Sequence, residues 1–138
     1  MPLPVPDISR NLFDLSGYCS LVTGASQGIG LALAEALAYA GSDLVLTARN
    51  AEHLEVCASK IETIGRKVTT VACDVAADDT PERLVKTALD LSGRIDVLIN
   101  NAGFMTFADM LTVEDAVWDK CPQRRCCAAP GAVRDSAR

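Results

Sequence analysis

Thr23-Gly24-Ala25-Ser26-Gln27-Gly28-Ile29-Gly30 sets three glycines at the spacing G-x-x-x-G-x-G between two segments of opposite texture. Before it, Cys19 to Thr23 (Cys-Ser-Leu-Val-Thr) reads as a short strand. After it, Ile29 to Ala40 is rich in alanine and leucine and reads as a helix, ended by Gly41. Glycine is needed where a chain turns this sharply, where backbone must touch a bound group, and where helix must approach strand. The helix start then offers N–H groups and the positive end of the peptide dipole, the environment in which phosphate is stabilised.

The same alternation repeats along the chain. Asp43 to Thr47 is a second strand, and Ala51 to Ile64 a second helix with Leu54, Cys57, Ala58, Ile61 and Ile64 on one face, ended by Gly65. Lys67 to Cys73 is β-branched enough for a third strand. Thr80 is expected to cap a third helix, with Pro81 in its first turn, Leu84, Val85, Ala88 and Leu91 inward, and Gly93 at its end. Ile95 to Ile99 is a fourth strand, and Thr112-Val113-Glu114-Asp115 opens a fourth helix through Ala116, Val117 and Trp118. Strands alternating with helices predict an α/β fold of the Rossmann type: a doubly wound parallel sheet of order 3-2-1-4 with right-handed crossovers, truncated after about four βα units. In that order Ile95 to Ile99 is an apolar edge strand, unpaired on one side, and weak stability and a tendency to aggregate are expected of the chain.

A second motif, Asn100-Asn101-Ala102-Gly103, stands at the end of the fourth strand, and Asp74-Val75 follows the third. Together with Thr23 to Gly30, these residues resemble the short-chain dehydrogenase/reductase family, whose motifs T-G-x-x-x-G-I-G, D-V and N-N-A-G they match in order. The resemblance runs from about Phe13 to Lys120. The lead-in Leu12-Phe13-Asp14-Leu15-Ser16-Gly17 is most similar to gluconate 5-dehydrogenase and 3-oxoacyl-carrier-protein reductase members. The family's reaction is hydride transfer between a nicotinamide dinucleotide and an alcohol/carbonyl pair. By this resemblance Gly24, Ser26, Gln27, Gly28, Ile29 and Gly30 line the pyrophosphate and ribose. Asp74 accepts from the adenine amino group with Val75 beside it. Asn101, Ala102 and Gly103 lie along the adenine-side ribose and support the nicotinamide half, while Asn100 ties neighbouring strands together.

Which dinucleotide is bound depends on the end of the second strand, where a carboxylate would bond the ribose 2′-hydroxyl of NAD. The residues there are Thr47-Ala48-Arg49-Asn50. A guanidinium in place of the carboxylate pairs with a 2′-phosphate and stacks on adenine, so NADP(H) is favoured over NAD(H). Gln27 points the other way, since many NADP-preferring relatives carry Arg or Lys there.

The family's proton-transfer pair, a tyrosine followed four residues later by a lysine, finds no match: Val22 and Asp43 stand four residues after Tyr18 and Tyr39, the two tyrosines of the chain. No catalytic residue is therefore assigned. His53, the lone histidine, sits between Glu52 and Leu54 in the second helix and reads as a solvated surface residue. No metal site is expected, because Cys121, Cys126 and Cys127 form no C-x-x-C pair and no histidine is near.

The chain has 138 residues, 49% apolar and 22% charged, the composition of one soluble globular domain. Its net charge of −5 argues against nucleic acid as a partner. No segment reaches the roughly 20 apolar residues of a membrane span, and the Pro-punctuated start lacks the order of a signal peptide. A cytoplasmic location with reduced thiols is expected. Residues 1–16 read as a lead-in packing on the domain edge and 17–120 as the dinucleotide-binding partial domain. Residues 121–138 read as an unstructured tail in which four arginines oppose one aspartate and three of six cysteines gather. The abrupt change after Lys120 has the texture of translation out of frame. The leading reading is thus an NADP(H)-binding N-terminal fragment, inactive alone. Two alternatives stay open: a non-catalytic dinucleotide-binding or interaction module, and an active oxidoreductase whose sequence is frame-shifted. The family is usually homo-oligomeric, but the helices that usually form its oligomers are missing here.

Overall fold

Alternation of inward side chains along each strand builds a sheet with helices on both faces. The computed structural model describes residues 12–103. Its elements are β1 (Cys19–Thr23), α1 (Gly28–Tyr39), β2 (Asp43–Ala48), α2 (Ala51–Thr63), β3 (Val68–Ala72), α3 (Thr80–Ser92) and β4 (Val97–Ile99). Every strand pair is parallel and the order is β3-β2-β1-β4, as expected. Residues 1–11 of the lead-in, the fourth helix expected from Thr112, and the tail 121–138 lie outside the described residues.

Two apolar cores follow from the period-two alternation. Val22, Leu44, Leu46 and Ala48 point to one face, where Ala34 and Ala38 of α1 and Leu54, Cys57 and Ile61 of α2 cover them. Cys19, Leu21, Val45 and Val71 point to the other, under Leu84 and Ala88 of α3. β1 is buried at all five positions because it is paired on both sides and covered on both faces. This explains a strand with no polar alternation, as buried parallel strands require. The outer side of α1 remains apolar, with Ile29, Leu33 and Tyr39 among the exposed large side chains.

Three expectations change in detail. β4 begins at Val97, not Ile95, because Asp96 turns the entrance: its carboxylate accepts the Cys19 N–H at 2.9 Å and the Arg94 Nε at 2.9 Å. The cap of α3 is Asp79, and the buried Thr80 instead donates its hydroxyl to the Asp74 carbonyl at 2.8 Å, closing the β3–α3 loop. In the lead-in, Leu12 and Phe13 are 82% and 77% exposed, while Leu15 is half-buried and its N–H donates to the Ala40 carbonyl at 2.7 Å. No helix among the described residues is long and apolar enough to cross a membrane.

Candidate functional site

Four loops converge at the carboxyl edge of the sheet. β1 and β4 are its switch point, because successive strands run from β1 to β3 on one side and β4 returns to the other. Ligands of open parallel sheets bind in that crevice. Here it is an open cleft of about 540 Å³. Gly24 and Ser26 to Ile29 form one wall, Ala48 to Asn50 with His53 another, Cys73 to Val75 a third, and Asn101 to Gly103 the last.

The glycine turn is held from below. Ala25 is fully buried, its N–H donates to the Thr47 carbonyl at 3.1 Å, and the Cys57 thiol donates to the Ser26 carbonyl at 3.5 Å. Gly28 has φ +57 with nothing within 4 Å of where a side chain would start, so the turn's outer surface is bare backbone facing the cleft. Gly30 has a different job. It lies under the turn rather than along the cleft, and a Cβ there would stand 2.2 Å from the Gly24 carbonyl oxygen and 2.5 Å from Asn101 Nδ2. Glycine at position 30 lets α1 close onto the turn. Gln27, the extended residue before α1, makes no side-chain cap, and the first turn of α1 carries no carboxylate. The positive end of that helix is therefore turned to the cleft without a side-chain anion at it.

Asn101 joins β4 to this turn. Its Nδ2 donates to the Thr23 and Gly24 carbonyls, both at 3.1 Å, while its N–H and that of Ala102 donate to the Thr23 hydroxyl, both at 3.0 Å. Thr23 is fully buried and passes its own proton to the Ile99 carbonyl at 3.2 Å. The strand-tying role expected of Asn100 thus belongs to Asn101, and Asn100 is exposed. The register explains why. Val22 pairs with Ile99, so the residue two positions past Ile99 comes level with Thr23 and Gly24 on the inner side, and the intervening Asn100 faces away.

Asp74 and Val75 stand opposite the glycine turn. Val75 is 9% exposed, and Asp74 Oδ1 accepts the Ala76 N–H at 3.0 Å, a turn that holds the carboxylate at the cleft edge. Arg49 follows the last residue of β2 directly. Asn50 then caps α2, its Oδ1 accepting the His53 N–H at 2.9 Å. That cap brings His53 to the cleft, so the expected surface histidine is exposed but also a wall residue. Ala48, Asn50 and Cys73 were not assigned to the site from the sequence, and His53 was read from it only as a surface residue. The N-cap asparagine followed three residues later by the histidine was the available signal for two of them.

Ionisable groups outside the cleft serve the fold. Burial pushes the Cys19 and Cys57 thiols up. The hydrogen bond from Arg94, then that from the Cys19 N–H, holds the Asp96 carboxyl below its usual range. No group of three or more metal-binding side chains occurs among the described residues.

A family model described as short chain dehydrogenase matches residues 19–129. Gluconate 5-dehydrogenase of Gluconobacter oxydans (strain 621H) is 44% identical over 109 residues, covering 79% of this chain and 43% of that protein. Among solved structures, L-sorbose reductase from Gluconobacter frateurii, complexed with NADPH and L-sorbose, superposes with a TM-score of 0.82 at 33% identity, covering 88% of this chain and 47% of that one. A metagenomic short-chain oxidoreductase in complex with NADP gives a TM-score of 0.75 at 39% identity, covering 80% and 51%. The chain spans less than half the length of that curated relative.

Proposed function

The chain belongs to the short chain dehydrogenase family, and on that footing we propose that it is the NADP(H)-binding N-terminal portion of an oxidoreductase acting on an alcohol/carbonyl pair. One observation carries the reading: of the residues that the family's motifs mark, Gly24, Ser26 to Ile29, Asp74, Val75 and Asn101 to Gly103 line a single cleft at the switch point of the sheet, with Gly30 packed beneath the turn.

The donor set fits a dinucleotide phosphate. Bare backbone at Gly28 and the uncapped start of α1 suit the pyrophosphate. The Arg49 guanidinium suits a 2′-phosphate, and the NADP(H) carried by two structural neighbours supports that choice over NAD(H). Asp74 suits the adenine amino group, with Val75 as an apolar platform. Ala102 and Gly103 offer backbone along the ribose, at a height set by the Thr23 hydroxyl. When bound, the dinucleotide supplies or takes the hydride. The residues of this chain bind and orient it, and Gly30 and Asn101 keep the turn and the β4 end in register while they do so. Because no tyrosine here is followed four residues later by lysine, proton transfer falls outside what these 138 residues do, and the chain alone does not turn over substrate. Its setting is read as cytoplasmic.

Titration of the 138-residue chain with NADPH, followed by nicotinamide fluorescence, tests the reading. Saturable binding tighter than that of NADH is expected. No saturable binding refutes it.

A further inference from the structure

Residues 73–79, between β3 and α3, carry Asp74 and Val75 to the cleft, and this loop is anchored at both ends. At its start the Cys73 N–H donates to the Ala48 carbonyl at 3.0 Å, one step beyond the last residue of β3. At its end stands Thr80, the first residue of α3, which is 2% exposed and does not line the cleft. Its hydroxyl donates to the Asp74 carbonyl at 2.8 Å, and that carbonyl also accepts the Ala77 N–H at 3.1 Å. Helix capping does not explain the bond, because a capping hydroxyl accepts from the N–H groups of its own helix. Asp79, the residue before α3, makes no side-chain cap, and the Thr80 hydroxyl reaches back to Asp74. The consequence is mechanical. Leu84 and Ala88 seat α3 in the core with Val45 and Val71, so Thr80 ties the main chain of Asp74 to the packed part of the fold. With the Ala76 N–H on Oδ1 at 3.0 Å, Asp74 is held at its main chain and its side chain together.

Resting on the reading that the cleft takes NADP(H) and that Asp74 receives the adenine amino group, we propose that Thr80 is a positioning residue for adenine recognition. It stands off the cleft and acts through Asp74. A hydrogen bond weakens steeply as its angle closes, so the grip on the amino group depends on how the Asp74 peptide is turned. Two donors fix that turn, one from within the loop and one from α3. Without the Thr80 hydroxyl the Asp74 carbonyl keeps the Ala77 N–H, so no acceptor is orphaned and the loop stays closed. What goes is the tie to α3, and with it the setting of the carboxylate against the base. NADPH and NADH share the adenine, so Thr80 affects both alike, unlike Arg49. A dinucleotide without the amino group is the ligand that separates a positioned carboxylate from a merely stable loop.

The test compares the unaltered chain with Thr80→Val, which keeps the buried shape and removes the hydroxyl, and with Thr80→Ser, which keeps the hydroxyl. Each is titrated, by nicotinamide fluorescence, with NADPH and with the reduced form of nicotinamide hypoxanthine dinucleotide phosphate. In that analogue a carbonyl oxygen, which cannot donate, replaces the adenine amino group, while the phosphates, riboses and nicotinamide are the same. The unaltered chain and Thr80→Ser are expected to bind NADPH about three- to tenfold more tightly than the analogue. In Thr80→Val that ratio is expected to fall below about twofold, through weaker binding of NADPH with the analogue held as tightly as before. A general loosening of the loop would move both ligands together and leave the ratio unchanged. An unchanged ratio in Thr80→Val, joint loss of both ligands, or an unaltered chain that binds NADPH no better than the analogue overturns the positioning role while leaving the NADP(H) reading intact. An unaltered chain that binds no NADPH overturns both.

Discussion

Replacing Thr23 by valine keeps the shape of a fully buried side chain and removes its hydroxyl. That hydroxyl donates to the Ile99 carbonyl at 3.2 Å and accepts the Asn101 and Ala102 N–H groups, each at 3.0 Å. The three losses are not equal. The Asn101 N–H also reaches the Ile99 carbonyl at 3.1 Å, so those two groups retain each other. The Ala102 N–H keeps no acceptor among the described residues. An orphaned donor costs about 1–3 kcal/mol, and two weakened bonds add about 0.5 kcal/mol each, so Thr23→Val should destabilise by about 2–4 kcal/mol. Thr23→Ser keeps the three bonds and removes one methyl group, at about 1 kcal/mol. The serine variant should therefore be the more stable of the two, although it is the less apolar. Urea denaturation followed by far-ultraviolet circular dichroism separates them, since the valine variant should lose about 1–2 M in midpoint. Because Ala102 and Gly103 form one lip of the cleft, NADPH affinity should fall with it. A valine variant as stable as the serine one would show that hydrophobic burial, not this hydroxyl, joins β4 to the glycine turn.

Gly30→Ala forces a Cβ to within 2.2 Å of the Gly24 carbonyl oxygen and is expected to cost at least about 1–3 kcal/mol with loss of NADPH binding; an unchanged urea midpoint would contradict the close packing of α1 on the turn. Arg49→Glu replaces the cation facing a 2′-phosphate by an anion and should weaken NADPH about ten- to a hundredfold without weakening NADH, as read by parallel fluorescence titrations; equal effects on the two would discount the guanidinium as the selector. Asp96 has its carboxyl held low by Arg94, so the stability it contributes is present above about pH 4, its unfolded value, and fades as the pH falls through its folded one. Asp96→Asn should accordingly be the less stable protein at pH 7, with the difference narrowing below pH 4, and a gap in stability that stays constant with pH would reject the pairing. Cys19 and Cys57, buried and with thiols raised by burial, should label with a thiol reagent at pH 8 more slowly than the half-exposed Cys73, as peptide mass spectrometry can follow.

Local order along this chain was legible because strands and helices of a buried parallel sheet announce themselves by different periods. The runs Cys19 to Thr23 and Asp43 to Thr47 are apolar on both faces, and α2 carries its apolar residues at helical spacing. Glycines at 41, 65 and 93 ended the helices where left-handed backbone was needed. The glycine turn at 24–30 was readable from its spacing between a strand and a helix, residues 74–75 and 101–103 came from the resemblance to a known family, and the strand order followed because short connections and right-handed crossovers leave few topologies.

What spacing along a chain could not assign was which of two adjacent side chains turns inward. Asn100 and Asn101 are equivalent as letters; the parallel register that pairs Val22 with Ile99 is what sends Asn101 under the glycine turn and leaves Asn100 exposed. Likewise a histidine between Glu52 and Leu54 looks like solvated helix surface until the Asn50 cap fixes where α2 begins, which turns its first turn toward Arg49. Gly30 belongs to the phosphate motif by its position, yet its reason for being glycine is a carbonyl oxygen six residues earlier. Period and composition are properties of neighbours in sequence, and they determine the elements. Contacts between the ends of different strands depend on how those elements pair, and only the folded sheet decides them.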